Sequence, residues 1–112
     1  MRKIATVKKS KANAVRLMIC DKGADGVFVF GYNSEEDSAC SWDCHYSDLE
    51  DAYEMGVDYG IQKEDWIEIA APLQYCQDDW INPVRVIGRP SGNPQWGKLE
   101  QLVDKQWIKI NG

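Results

Sequence analysis

"NAVRLMICDKGADGVFVFGY", residues 13–32, is the stretch whose reading decides the fold. In an extended chain successive side chains point to opposite faces, and here Val15, Leu17 and Ile19 fall on one face with Arg16, Met18 and Cys20 on the other. "GVFVFGY" repeats the period, with Phe28, Phe30 and Tyr32 opposite Val27 and Val29. "DKGADG" between them has turn chemistry, so the stretch reads as a β-hairpin. "KIATV" (3–7) ahead of it suits a third strand, whose exposed lysines would discourage pairing at an open edge.

Downstream, "NSEEDSACSWDC" (33–44) is polar and reads as a loop. "SDLEDAYEMGVDYG" (47–60) then carries helix signals. Ser47 with Glu50 three positions on can form a capping box, and Gly60 can end the helix. On a helical wheel Leu49, Ala52, Tyr53, Gly56 and Val57 gather on one side, and Glu50, Asp51, Glu54 and Asp58 on the other. "DWIEIA" (65–70) reads as a strand entered through Trp66. "DWINPVRVIG" (79–88) reads as another, with Pro83 marking an edge or a bend. "KLEQLVDKQWIKI" (98–110) closes the chain as a hairpin turning near Asp104 and Lys105, although Leu99, Leu102 and Val103 would also suit a short helix. The outline is β-β-α-β-β: an α+β domain with one principal amphipathic helix on a mostly antiparallel sheet. A length of 112 residues, 44% of them hydrophobic, fits a single domain spanning 1–112.

The charge distribution is more informative than the net value of −5. Residues 1–22 carry seven Lys or Arg and one acid; residues 23–62 carry ten acids and no Lys or Arg; residues 63–112 carry six basic and seven acidic residues. Glu50 to Glu54 and Glu54 to Asp58 are like-charge pairs at i, i+4, each costing a few tenths of a kcal/mol, with no lysine placed to relieve them. Asp58 also sits where the helix dipole disfavours an anion. A solvated, solubilising face is the ordinary reading of such a helix. The unbroken extent of the acidic stretch favours a second one, a surface that attracts a basic protein. The candidate partner-binding residues are Glu50, Asp51, Glu54 and Asp58, flanked by Glu35, Glu36, Asp37 and Asp43, with Trp42 as an aromatic anchor. Nucleic acid is disfavoured as a partner, because its phosphates need cations. The basic start, with Lys3, Lys8, Lys9 and Lys11, makes equal sense as protection of a strand edge.

"CSWDCHY" (40–46) raises a metal question. Zinc would require Cys40, Cys44 and His45, joined by the distant Cys76, to converge tetrahedrally. The spacing argues against it, since no second ligand pair follows and adjacent Cys44 and His45 would point apart on a strand. A zinc-binding protein or small thiol enzyme centred on these four residues is the alternative function. Free thiols in a reducing compartment are the simpler account, and no cofactor is required. No EF-hand spacing accompanies the acids. Apolar runs fall short of the roughly 20 residues needed to cross a bilayer, and the basic start lacks the apolar segment of a signal peptide. A soluble, cytoplasmic protein is expected, with no membrane partner.

"SDLEDAYEMGVDYGI" followed by the tryptophan-led "EDWIEIA", residues 47–70 together, resembles the pattern of small acidic bacterial immunity proteins encoded beside polymorphic toxins. The resemblance implies a non-enzymatic protein that neutralises a cognate toxin, often a nuclease, by presenting carboxylates to its basic active-site cleft. It carries no residue-by-residue assignment.

Overall fold

The computed structural model describes residues 1–110 and divides the chain into two compact units, Met1–Ala71 and Pro72–Gly112. The class is α+β, with one α-helix and antiparallel sheets among the described residues.

The first unit is a five-stranded sheet built from β1 (Arg2–Lys11), β2 (Ala14–Asp21), β3 (Val27–Tyr32), β4 (Trp42–Tyr46) and β5 (Ile67–Ile69), in the spatial order β4-β3-β2-β1-β5. The hairpin read from residues 13–32 is present as β2 and β3, in a register that sets Ile19 against Val29 and Met18 against Phe30. The two-residue period sends Leu17, Ile19, Val27 and Val29 to one face, where they form the core with Ala52 and Tyr53 of the helix α1 (Leu49–Val57) and with Tyr59, Ile61 and Trp66 beyond it. Leu17, Ile19, Val29, Ala52 and Ile61 lose all solvent contact, as do Met18 and Tyr32 on the other face, and at roughly 25 cal/mol per Å² of apolar surface this burial is a large stabilising contribution to the unit.

Three local readings are corrected. β1 is not a guarded edge: its first residues lie between β2 and β5, and farther along the Lys8 and Lys9 amides both donate to the Tyr59 carbonyl. The segment 33–44 is only partly loop, because Trp42 already belongs to β4. The helix N-cap is Asp48, one residue beyond Ser47. Its Oδ1 accepts from the Asp51 amide at 2.9 Å, and a carboxylate in that place also meets the positive end of the helix dipole.

The helix stop at Gly60 is realised in full. After Val57 the Gly60 amide donates to the Val57 carbonyl and the Ile61 amide to the Gly56 carbonyl, the paired bonds of a Schellman motif. Gly60 has φ +77°, a left-handed conformation open to glycine, and a Cβ there would lie 3.1 Å from both the Lys8 Cβ and the Lys9 nitrogen. Helix end and first strand are thereby joined. On α1, Ala52, Tyr53 and Gly56 are buried as the wheel requires, whereas Val57 is 51% exposed and Met55 packs against the core instead.

Charged side chains fasten the margins of this unit. Buried Arg2 donates from Nε and Nη2 to the Ala70 carbonyl at 2.9 and 2.7 Å, securing the end of β5. Arg16, also buried, stacks on the Tyr32 ring at 4.1 Å and donates from Nη1 to the Glu35 carbonyl.

The second unit holds a three-stranded antiparallel sheet, β6 (Val84–Val86), β7 (Leu99–Val103) and β8 (Gln106–Lys109), in the order β6-β7-β8. Residues 98–110 form the expected hairpin, and Asp104 and Lys105 both take positive φ, the requirement of a two-residue turn between twisted strands. The strand read over 79–88 contracts to Val84–Val86, since Pro83 has no amide to donate; its carbonyl accepts from Leu102. Across the sheet Arg85 lies 3.6 Å from the Trp107 ring centre and pairs with Glu100 at 2.8 Å.

Candidate functional site

β4 is one of the two edge strands of the first sheet, and its residues alternate strictly. Trp42, Cys44 and Tyr46 share the face that carries α1; Asp43 and His45 point to the other. Gly31, opposite Trp42, lets the strand dock: a Cβ on Gly31 would fall on the indole ring. Trp42 therefore lies across the β3 backbone, half-buried against the core and tilted on Tyr59 with ring centres 6.0 Å apart. Its role in the free molecule is packing.

Between β4 and α1 runs an open groove of about 420 Å³, lined by Tyr46, Asp51, Glu54, Met55 and Asp58. The helix period explains the company, since residues 51, 54, 55 and 58 fall on one stripe of a 3.6-residue repeat. Tyr46 and Met55 are half-buried, while the three acids are exposed. Among the described residues Asp51 and Glu54 enter no ion pair, and Asp58 has only a loose one with Lys11 at 3.9 Å. A pair so exposed contributes about 0–1 kcal/mol, so among the described residues the three carboxylates have little direct ion pairing.

Not all the acids expected to act together do so. Glu50 turns to the far flank of the helix and meets Lys63 at 3.3 Å. Asp43 lies on the face of the sheet opposite α1. Glu35, Glu36 and Asp37 occupy the loop between β3 and β4, tied through the Glu35 carbonyl to Arg16, which also faces away from α1. Of the nine residues read from the sequence, Asp51, Glu54 and Asp58 share the groove. Tyr46 and Met55 were not among the nine; the alternation of "WDCHY" and the four-residue step from Asp51 were the signals for them.

Burial sets the proton chemistry of two tyrosines, Tyr46 in the groove and Tyr59 in the core. Burial first, and then the neighbouring Cys44, hold the Tyr46 and Tyr59 hydroxyls above the ordinary tyrosine value of 10.0. Both remain neutral donors throughout the physiological range. At the helix's other flank, the Tyr53 hydroxyl accepts from Lys3 Nζ at 2.9 Å and raises the pKa of that ammonium, in spite of a smaller opposing effect of desolvation.

The cysteine and histidine cluster does not assemble on β4. Cys40 is half-buried in the preceding loop, and Cys44 and His45 diverge to opposite faces. His45 is instead engaged with Phe28, ring centres 4.8 Å apart, and its Nε2 lies 2.9 Å from the Asp25 carbonyl. Cys76 belongs to the second unit. Among the described residues no group of three His, Cys, Asp or Glu is placed to hold a metal ion, and no helix is long and apolar enough to cross a membrane.

No family model, curated protein or solved structure matches the chain. The groove's chemistry stands without a relative to interpret it. It can offer three carboxylates, a neutral phenol and a thioether to a ligand, a combination suited to the long, part-apolar, cationic side chains of lysine and arginine.

Proposed function

We propose that the chain is a non-enzymatic binding protein that captures a basic partner protein, in the manner of the bacterial toxin-immunity proteins its sequence resembles. The observation that carries this reading is the groove between α1 and β4, where Asp51 and Glu54 lie exposed beside half-buried Tyr46 and Met55 with no cation of the described chain to neutralise them. Leaving these acids unpaired costs the helix a few tenths of a kcal/mol per like-charge pair, an expense that a cationic ligand would convert into attraction. Complementary fields of this kind raise association rates and exclude wrong partners. A toxin whose active-site cleft binds phosphate would present the matching lysines and arginines.

The test uses two variants of identical net charge. D51K/E54K reverses two groove acids and E35K/E36K reverses two loop acids, each moving the formal charge from −5 to −1. The probe is a ten-residue lysine-threonine peptide, titrated against the full chain at low and at physiological salt. Reversal in the groove is expected to weaken binding by about 2–3 kcal/mol, roughly thirty- to a hundred-and-fiftyfold, and reversal in the loop by much less. Equal losses from the two variants would reduce the groove to one more part of a diffuse negative field.

A further inference from the structure

We infer that the basic partner binds as an added strand: an extended segment with lysine or arginine at alternate positions pairs with the open edge of β4 and sends its cations into the groove beside α1. This inference rests on the binding function proposed above and specifies how it is carried out.

The open edge follows from the register. The Gly26 carbonyl accepts from the Lys22 amide in the β2–β3 turn, and the Gly31 carbonyl accepts from Ser41 at the start of β4. Backbone groups of an extended chain alternate in direction, so Val27, Val29 and Gly31 point at β4, and Phe28, Phe30 and Tyr32 at β2. On β4, Cys44 and Tyr46 then answer Val29 and Val27, while Asp43 and His45 turn their N–H and C=O groups outward. Among the described residues no other backbone group bonds to them. Edge strands are commonly blunted by lysine, proline or a covering element. β8, an edge of the second sheet, carries Lys109 and follows Lys105, but β4, "WDCHY", has neither lysine nor proline.

Charge complementarity selects the occupant. An antiparallel strand laid on β4 places the residues opposite Cys44 and Tyr46 on the α1 face, next to Asp51, Glu54 and Asp58, and the residues opposite Asp43 and His45 on the other face. Lysine or arginine is matched to the first set, and a small polar residue such as threonine suffices for the second. A second copy of this chain is the poorer occupant. Pairing two β4 edges about a two-fold axis would bring both helices to one side of the joined sheet and set the two groups of three groove carboxylates across the seam. Backbone pairing with side-chain readout at alternate positions is an established mode of peptide capture.

The experiment uses the full chain and two synthetic peptides: ten residues of alternating lysine and threonine, and the same sequence N-methylated on every threonine. Methylation leaves all the lysines in place and removes the amides that would face Asp43 and His45. The unmodified peptide is expected to bind, to slow hydrogen exchange at the Asp43 and His45 amides, and to lose about tenfold or more in affinity on methylation. Equal binding of both peptides, weakened alike by E54K, would overturn strand addition while leaving an acidic binding surface intact. Failure of both peptides to bind would overturn strand addition and the function it rests on. Protection of the Asp43 and His45 amides in peptide-free protein, with a dimer in sedimentation, would assign the edge to a second copy and overturn the inference as well.

Discussion

Gly31→Ala should unseat Trp42, and the size of the effect can be worked out from the way β4 docks. Gly31 has no positive φ, so alanine is allowed by the backbone, but its Cβ would fall on the Trp42 ring. Either the ring and strand are strained in place, at about 1–3 kcal/mol, or the ring leaves. A half-buried indole covers on the order of 100 Å² of apolar surface, so leaving costs about 2.5 kcal/mol at roughly 25 cal/mol per Å². The cheaper route sets the loss, at about 1–2.5 kcal/mol. Trp42→Ala alone loses a similar amount by cavity formation. With the ring absent, alanine at position 31 meets nothing and is better than glycine in a strand by about 0.5–1 kcal/mol. In the Trp42→Ala background Gly31→Ala should therefore stabilise. Urea unfolding followed by circular dichroism on the four proteins of this cycle measures the coupling, expected at about 1.5–3.5 kcal/mol, the loss in the native background plus the gain in the other. Additive effects, or a single-variant loss below about 0.5 kcal/mol, would show that Trp42 does not hold β4 to the sheet in this way.

Asp48→Ala should cost about 1 kcal/mol by removing the N-cap, whereas Ser47→Ala, at the position the sequence favours, should cost little; thermal unfolding separates them. Gly60→Ala should destabilise by about 2 kcal/mol or more, because it combines a left-handed φ with 3.1 Å contacts to β1, and chemical denaturation would show it. Because Tyr46 and Tyr59 titrate higher in the folded chain than in the unfolded one, the unfolded chain releases those protons first. Stability present below pH 10.0 is then lost as pH rises from the ordinary value through the folded one, and Tyr59→Phe should flatten that alkaline limb in urea midpoints taken between pH 8 and 12. Asp65 behaves in the opposite sense. Lys8, hydrogen-bonded at 2.6 Å, and then the Gln62 amide hold its carboxyl below 3.8, so its contribution is present above that value and lost as pH falls through the folded one; Lys8→Met should move the carboxyl's NMR titration upward.

Much of the first sheet was legible because β2 and β3 are short runs, mostly apolar and bounded by turn residues; both their faces are largely buried, Leu17 and Ile19 towards the helix and Met18, Cys20 and Phe30 away from it. The stop at Gly60 was legible because a left-handed φ there favours glycine, and the turn at Asp104 and Lys105 because a charged pair breaks two apolar runs. β4 was not legible to the same degree. An edge strand with one wet face needs no apolar run, so "WDCHY" reads as polar even though Trp42, Cys44 and Tyr46 keep the two-residue period. The acids of α1 were visible as a face, but their division was not: Glu50 is drawn to Lys63 across a loop that the helical wheel does not contain. In the groove, Asp51, Glu54 and Asp58 follow from helical spacing alone, whereas Tyr46 enters only once β4 is known to pack beside the helix.

The lysine-free margin of β4 has a practical consequence for handling the protein. Like charges along the helix flank keep two molecules from zipping together margin to margin, and that deterrent is purely coulombic. In 1 M salt the screening length shrinks to about 3 Å. Concentrated salt therefore disarms the guard while leaving the strand's outward amides available, so precipitation or fibre growth should begin there, and dilute buffer is the medium in which the molecule keeps.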